Sequence, residues 1–252
     1  MDAMASPAPD PETDEIRFDA FGGPRVARVD LPIGDPRAVV VMLSGLAMFG
    51  LDTDRPAIQG LQRFGDDLAA SLVESGRIVV RPEPFDADRT ADGCVAAAES
   101  LAATVRRTWP DLPELRVGLS AAAPLIAVAG GDRSASVFVL ISPPILETYG
   151  NRPDRLDEQL SESLGIPPEI ASELGARGPM HAGSTVAPRA RVVHGAADRI
   201  VPPADAIGWR ASLAAAGVEA ARIEIGFAGH DLEPCHEAVL HTIVDHLDEI
   251  GT

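Results

Sequence analysis

From residue 16 to residue 250 the apolar positions switch repeatedly between two spacings, which predicts strands separated by helices. Residues 16–21 and 25–31 read as two strands joined by a Gly22-Gly23-Pro24 turn, an antiparallel hairpin. Residues 38–43 include three consecutive valines, the continuous apolar run of a strand covered on both faces. Phe64, Leu68 and Leu72 then recur every fourth position, marking a helix that Gly76 stops. A strand over 77–81 follows. Val95, Ala98, Ala102, Val105 and Trp109 form a second helical stripe, ended by Pro110.

The rhythm continues with a strand over 115–119, a helix over 121–129 and a strand over 137–141. A strand over 191–194, a helix over 203–216, a strand over 221–226 and a last helix reaching Ile250 complete the series. In that last helix Leu240, Ile243, Val244 and Leu247 share one stripe. Strands alternating with helices of this length imply parallel pairing through right-handed crossovers. One stretch, 143–188, breaks the rhythm. Leu156, Leu160 and Leu164 lie there at four-residue spacing, with Ile170 and Leu174 after them, so it reads as a helical excursion from the sheet. Residues 1–15 are rich in Pro, Asp, Ala and Glu without periodicity and read as a disordered tail. The remainder, 16–252, reads as one α/β domain.

Composition narrows the function. The 252 residues carry 38 acidic and 21 basic side chains, a formal net charge of -17, so nucleic acid is an unfavourable partner. Apolar runs are too short to span a bilayer, and the first residues show neither a basic leader nor an apolar signal core. A cytoplasmic protein is the expectation. Two cysteines, Cys94 and Cys235, are too few for a disulfide framework or a zinc cluster. His236, His241 and His246 are five apart and rotate around their helix instead of forming a metal-binding face. Neither metal nor organic cofactor is expected. Every basic residue is Arg, a bias that says little about function.

Chemistry concentrates in three short segments. Gly118-Leu119-Ser120-Ala121-Ala122 lies between a predicted strand and an Ala-rich helix, the setting of a nucleophile elbow. Small residues two positions either side of the serine let the sharp turn approach its neighbours. The helix start behind Ser120 offers free N–H groups to a developing oxyanion. Taken alone, Ser120 reads equally well as an ordinary helix cap. His194-Gly195-Ala196-Ala197-Asp198 and Gly229-His230-Asp231 each follow a predicted strand. Ser120, Asp198 and His230 therefore fall at C-terminal strand ends, where open α/β sheets meet ligands, in the order nucleophile, acid, histidine.

On these motifs, and on Ile200-Val201-Pro202 after Asp198, the chain resembles the α/β-hydrolase family from about residue 16 to residue 250. The resemblance implies an eight-stranded, mostly parallel sheet flanked by helices, with the 143–188 excursion as a small cap. It implies Ser120 as nucleophile, Asp198 as acid and His230 as base, with backbone N–H groups of Leu46 and Ala121 forming the oxyanion hole. Ser44 stands where most members carry the histidine of a His-Gly pair, which makes its hydroxyl a candidate substrate contact. Where some members carry the acid, this chain reads Ile141-Ser142-Pro143-Pro144, without a carboxylate. The expected activity is hydrolysis of an ester or thioester of a small acyl substrate, with bacterial secondary metabolism as its setting. The alternative is a non-hydrolytic tailoring enzyme of the same fold, performing elimination or acyl transfer on a polyketide-type product.

Other residues have plainer readings. Asp231 reads as the cap of the last helix, His194 as structural, His181 and the acidic residues of the excursion as solvated, and the cysteines as packing groups. Asp198 has its own bland alternative, that of a turn-capping carboxylate. The oligomeric state is not legible.

Overall fold

The computed structural model describes residues 15–45, 56–84, 90–128, 135–145, 173 and 189–250. Eight strands form one sheet: β1 (Glu15–Ala20), β2 (Gly23–Asp30), β3 (Ala38–Ser44), β4 (Arg77–Pro82), β5 (Glu114–Leu119), β6 (Ala135–Ile141), β7 (Arg189–Gly195) and β8 (Glu219–Ile225). Their spatial order is β1-β2-β4-β3-β5-β6-β7-β8. β2 is antiparallel to both of its neighbours, and every pairing from β4 to β8 is parallel. The expected hairpin forms with its turn one step earlier, at Phe21-Gly22, so Pro24 lies within β2 opposite Asp19.

Among the described residues five helices cover the sheet: α1 (Pro56–Glu74), α2 (Ala91–Thr108), α3 (Ala123–Val128), α4 (Pro203–Ala215) and α5 (His236–Ile250). Alternation along each strand divides the core in two. Val39, Val41 and Leu43 of β3 face a cluster built with Leu101 and Val105 of α2, Leu125 and Ile126 of α3, and Trp209 and Leu213 of α4. Val40 and Met42 face the other cluster, with Phe64, Leu68 and Leu72 of α1 and Val239, Ile243 and Leu247 of α5. The valine run is thus buried on both faces, as its continuity predicts. Thr90 caps α2, its Oγ1 accepting the Gly93 N–H at 3.0 Å.

The proposed cap and the tail up to residue 14 lie outside the described residues, apart from residues 143–145 and Glu173 of the cap. Glu15, expected in the tail, opens β1. The first residues after β6 are held against α4. Trp209 donates its indole N–H to Pro144 O at 2.9 Å, and Ile145 N–H donates to the buried Asp205 at 2.9 Å. Parallel strands place the C-terminal ends of β3 and β5 to β8 along one rim.

Candidate active site

Ser120 follows β5 directly and opens a single 3-10 turn, Ser120–Ala122, that leads into α3. Its φ is 50°, a left-handed conformation that costs a non-glycine residue and concentrates at functional turns. Gly118 shows why such a turn needs a small residue two positions before the serine. A Cβ there would lie 2.6 Å from Ala123 Cα and 3.0 Å from Ile126 Cγ1. The turn therefore presses the start of α3 onto the end of β5. The Ser120 hydroxyl is buried, with Oγ 3.0 Å from His230 Nε2.

Asp198 lies three residues beyond β7, and its carboxylate is met by four N–H donors. Oδ1 accepts from Ile200 N at 2.8 Å and Val201 N at 2.9 Å. Oδ2 lies 2.8 Å from His230 Nδ1 and 3.2 Å from His194 Nε2. Burial pushes the Asp198 carboxyl upward, but hydrogen bonds from His194, His230 and Val201, with the charge of His230, hold it well below the usual carboxylate range. An ionised carboxylate only accepts, so the proton of neutral His230 sits on Nδ1. Nε2 is then free to accept the Ser120 hydroxyl. Ser120, His230 and Asp198 thus form one continuous hydrogen-bonded line with little access to water.

The loops carrying Asp198 and His230 are joined by backbone hydrogen bonds. Ala196 N donates to Ile225 O and Ala197 N to Ala228 O, each at 2.9 Å. Gly195 makes this closeness feasible, because a Cβ there would lie 2.4 Å from both Ala228 O and Gly229 O. On the other side, Gly60 of α1 lies under Asp231, where an added Cβ would come within 2.6 Å of Asp231 Cβ. The His230 loop is therefore wedged between α1 and the end of β7.

Three sequence-derived candidates, Ser120, Asp198 and His230, converge. Ala121 is fully buried immediately after Ser120, and Ser44 ends β3 as the register partner of Leu119. Leu46 falls outside the described residues, as does His181. Asp231 does not cap the last helix. α5 begins only at His236, and Asp231 Oδ1 instead accepts the Glu233 N–H at 3.3 Å inside the preceding turn. His236 packs edge-on to Phe64 and lies 3.0 Å from Asp67, away from the other two histidines of that helix. Among the described residues, no group of three or more His, Cys, Asp or Glu is arranged to hold a metal ion. No helix among them is long and apolar enough to cross a membrane.

Two features escaped the sequence reading. The spacing of His194-x-x-x-Asp198 is the one sequence signal for the contact that His194 makes with Asp198. Gly195 has no signal in the sequence of its own, since the backbone it must clear is thirty-odd residues away.

The sheet order, the strand-turn-helix at Ser120 and the placement of Asp198 and His230 define the α/β-hydrolase fold. No family model matches the chain, and no curated protein matches it. Solved structures do. It superposes on Est1E from Butyrivibrio proteoclasticus with a TM-score of 0.73 at 13% identity, covering 94% of this chain and 98% of that one. XC6422 from Xanthomonas campestris, described as an α/β serine hydrolase without a lid, gives 0.66 at 18% identity over 97% of both chains. A thermostable carboxyl esterase from Bacillus coagulans gives 0.67 at 14% identity, covering 94% of this chain and 98% of that one.

Proposed function

We propose that this protein is a serine hydrolase that cleaves a carboxylic ester or thioester through an acyl-enzyme. The observation that carries the reading is the line Ser120 Oγ, His230 Nε2, His230 Nδ1, Asp198 Oδ2, with contacts of 3.0 and 2.8 Å. His230 takes the Ser120 proton as Oγ attacks the carbonyl carbon, and returns it to the departing alcohol or thiol. Asp198 keeps the proton-bearing nitrogen turned away from Ser120 and stabilises the imidazolium. Backbone N–H groups of Ala121 and Leu46 receive the oxyanion, each worth about 2.7–4 kcal/mol in a comparable hole. Water, activated by the same His230, then releases the acid. Neither metal nor organic cofactor is required by these steps. Ser44, which ends β3 beside Leu119, is the residue to which this reading assigns contact with a polar group of a small acyl substrate. The named esterases of similar fold support the ester reading over other acyl chemistry.

A fluorophosphonate tests this directly. The expected result is one equivalent bound, mapped to Ser120, and no labelling of a folded Ser120→Ala variant. Loss of turnover in that variant should be on the order of 10⁶, as in a comparable triad. Equal labelling of the variant overturns the assignment. The second reading, elimination or acyl transfer on a natural-product intermediate, is favoured by the same His230, whose Nε2 faces Ser120 from a buried position and could take a substrate proton directly. Turnover of an acylated substrate that survives Ser120→Ala but not His230→Ala would select it.

A further inference from the structure

A second imidazole lies against the acid of this site, and the mechanism above does not use it. His194 is fully buried on β7, one residue before the strand ends. Its Nε2 is 3.0 Å from Val201 O and 3.2 Å from Asp198 Oδ2. Both oxygens can only accept, so Nε2 carries the hydrogen and shares it between them. Asp198, in contrast, stands on a loop. Its Oδ1 is fixed by the N–H groups of Ile200 and Val201, which belong to that same loop. Its Oδ2 would otherwise answer only to His230, the ring that the carboxylate has to orient. His194 differs in belonging to a strand paired on both sides, with His194 itself in register with Glu224 of β8.

We propose that His194 is a positioning residue, whose Nε2–H ties Asp198 Oδ2 and the Val201 carbonyl to the sheet and so sets the carboxylate before His230 engages it. The inference rests on the proposed roles of Asp198 and His230. It differs from a purely structural role, in which His194 would serve only to satisfy Val201 O. A structural histidine would affect folding whatever occupies position 198. A positioning histidine acts through the Asp198 carboxylate and has no further effect once that carboxylate is gone. Partners that orient an active-site ligand in this way are worth about 10–100-fold where they have been removed around metal sites.

The test compares His194→Leu, which removes the donor, with His194→Gln, whose amide can present an N–H at similar reach. Turnover of p-nitrophenyl acetate should fall about 10–100-fold in kcat for His194→Leu with KM little changed, and recover in His194→Gln. In an Asp198→Asn background, His194→Leu should cause less than about a twofold further loss. The far-downfield proton resonance of the His230 Nδ1–H against Asp198 should persist in wild type and His194→Gln, and move or vanish in His194→Leu. Should His194→Leu fail to fold, His194→Asn, whose shorter amide stops short of Oδ2, replaces it under the same criteria. Equal losses in both backgrounds, or an unchanged resonance in the donor-free variant, would overturn the proposal. The resonance needs no turnover. A wild-type protein that neither binds fluorophosphonate nor hydrolyses the ester would sink the hydrolase reading while leaving the role of His194 decided by the spectrum.

Discussion

At the N-terminal end of β5, Glu114 and Arg116 are almost wholly buried with their side chains 2.5 Å apart. Arg106 of α2 adds a second cation 3.2 Å from Glu114, and the Arg116 guanidinium lies 5.7 Å from the Phe138 ring centroid. At the opposite end of the sheet Asp198 is buried to a similar degree, but backbone N–H groups and two imidazoles meet its charge. The difference is chemical. A carboxylate matched by guanidinium has a partner of fixed charge, because arginine does not release its proton. A carboxylate matched by imidazole has a partner that can gain and lose a proton within a catalytic cycle. The first arrangement fixes a strand end; the second leaves charge free to respond to Ser120.

The largest effect should come from replacing the responsive charge by a neutral isostere. Asp198→Asn preserves shape but presents an amide to His230 Nδ1, which favours the wrong tautomer and leaves Nε2 unable to accept the Ser120 proton. We expect a loss on the order of 10⁴ in kcat with KM little changed. Steady-state kinetics on a small activated ester would measure it. A variant with full activity would mean that Asp198 belongs with Glu114 as a structural carboxylate. Glu224, a carboxylate near the C-terminal end of β8, is half exposed and paired with Arg222 at 2.6 Å.

Next should come Gly195→Ala. The added methyl group would meet Ala228 O and Gly229 O at 2.4 Å, so the His230 loop has to shift away from the end of β7. A displacement near 1 Å at a catalytic group costs about 10²-fold. The expected outcome is that loss in kcat, with fluorophosphonate labelling slowed in parallel. Unchanged rates would show that the loop can yield without moving the ring.

The two sheet ends also differ in how far the sequence discloses them. The convergence of Ser120, Asp198 and His230 on one rim was legible because the proposed chemistry needs particular residues at particular element boundaries. The small residue at Gly118 and the strand-then-loop settings of Asp198 and His230 survive in one dimension. The strand order beyond alternation, the site roles of Gly195 and His194, and the Glu114-Arg116 pair were not legible. Each depends on which segments become neighbours in space. Asp231 shows the same limit from the other side: Asp before an amphipathic stretch suggests a helix cap, but the turn over 232–235 delays α5 to His236. The local preference was outweighed by packing, with Asp231 seated over Gly60.

Glu114→Ala sharpens the comparison from the structural side. It removes the Glu114 carboxylate from the buried pair with Arg116, and breaking a buried pair in this way typically costs about 3–5 kcal/mol of stability. Denaturant unfolding should record that loss, while kcat of the folded fraction stays at the wild-type value. A fall in kcat equal to that of Gly195→Ala would contradict the separation between the two ends.

The smallest effect is the most specific to Asp198, and it appears on acidification. Its carboxyl is depressed in the folded protein, so the unfolded chain binds the proton more readily and the ionised form stabilises the fold. That contribution is complete above the ordinary aspartate range, near pH 4, and is lost as pH falls from there through the folded-state pKa. Asn at the same position has no charge to lose. At pH 7 wild type should exceed Asp198→Asn by about 1.5–3 kcal/mol, the worth of hydrogen bonds to a charged group. Below pH 4 the gap should close steadily, because all other carboxylates are common to both proteins and cancel in the difference. Paired urea titrations from pH 7 down to the lowest pH at which both remain folded would trace it. A gap that stays constant across the range would mean that the donors of His194, His230, Ile200 and Val201 hold the neutral side chain as well as the ion, and that Asp198 differs from Glu114 less than its partners suggest.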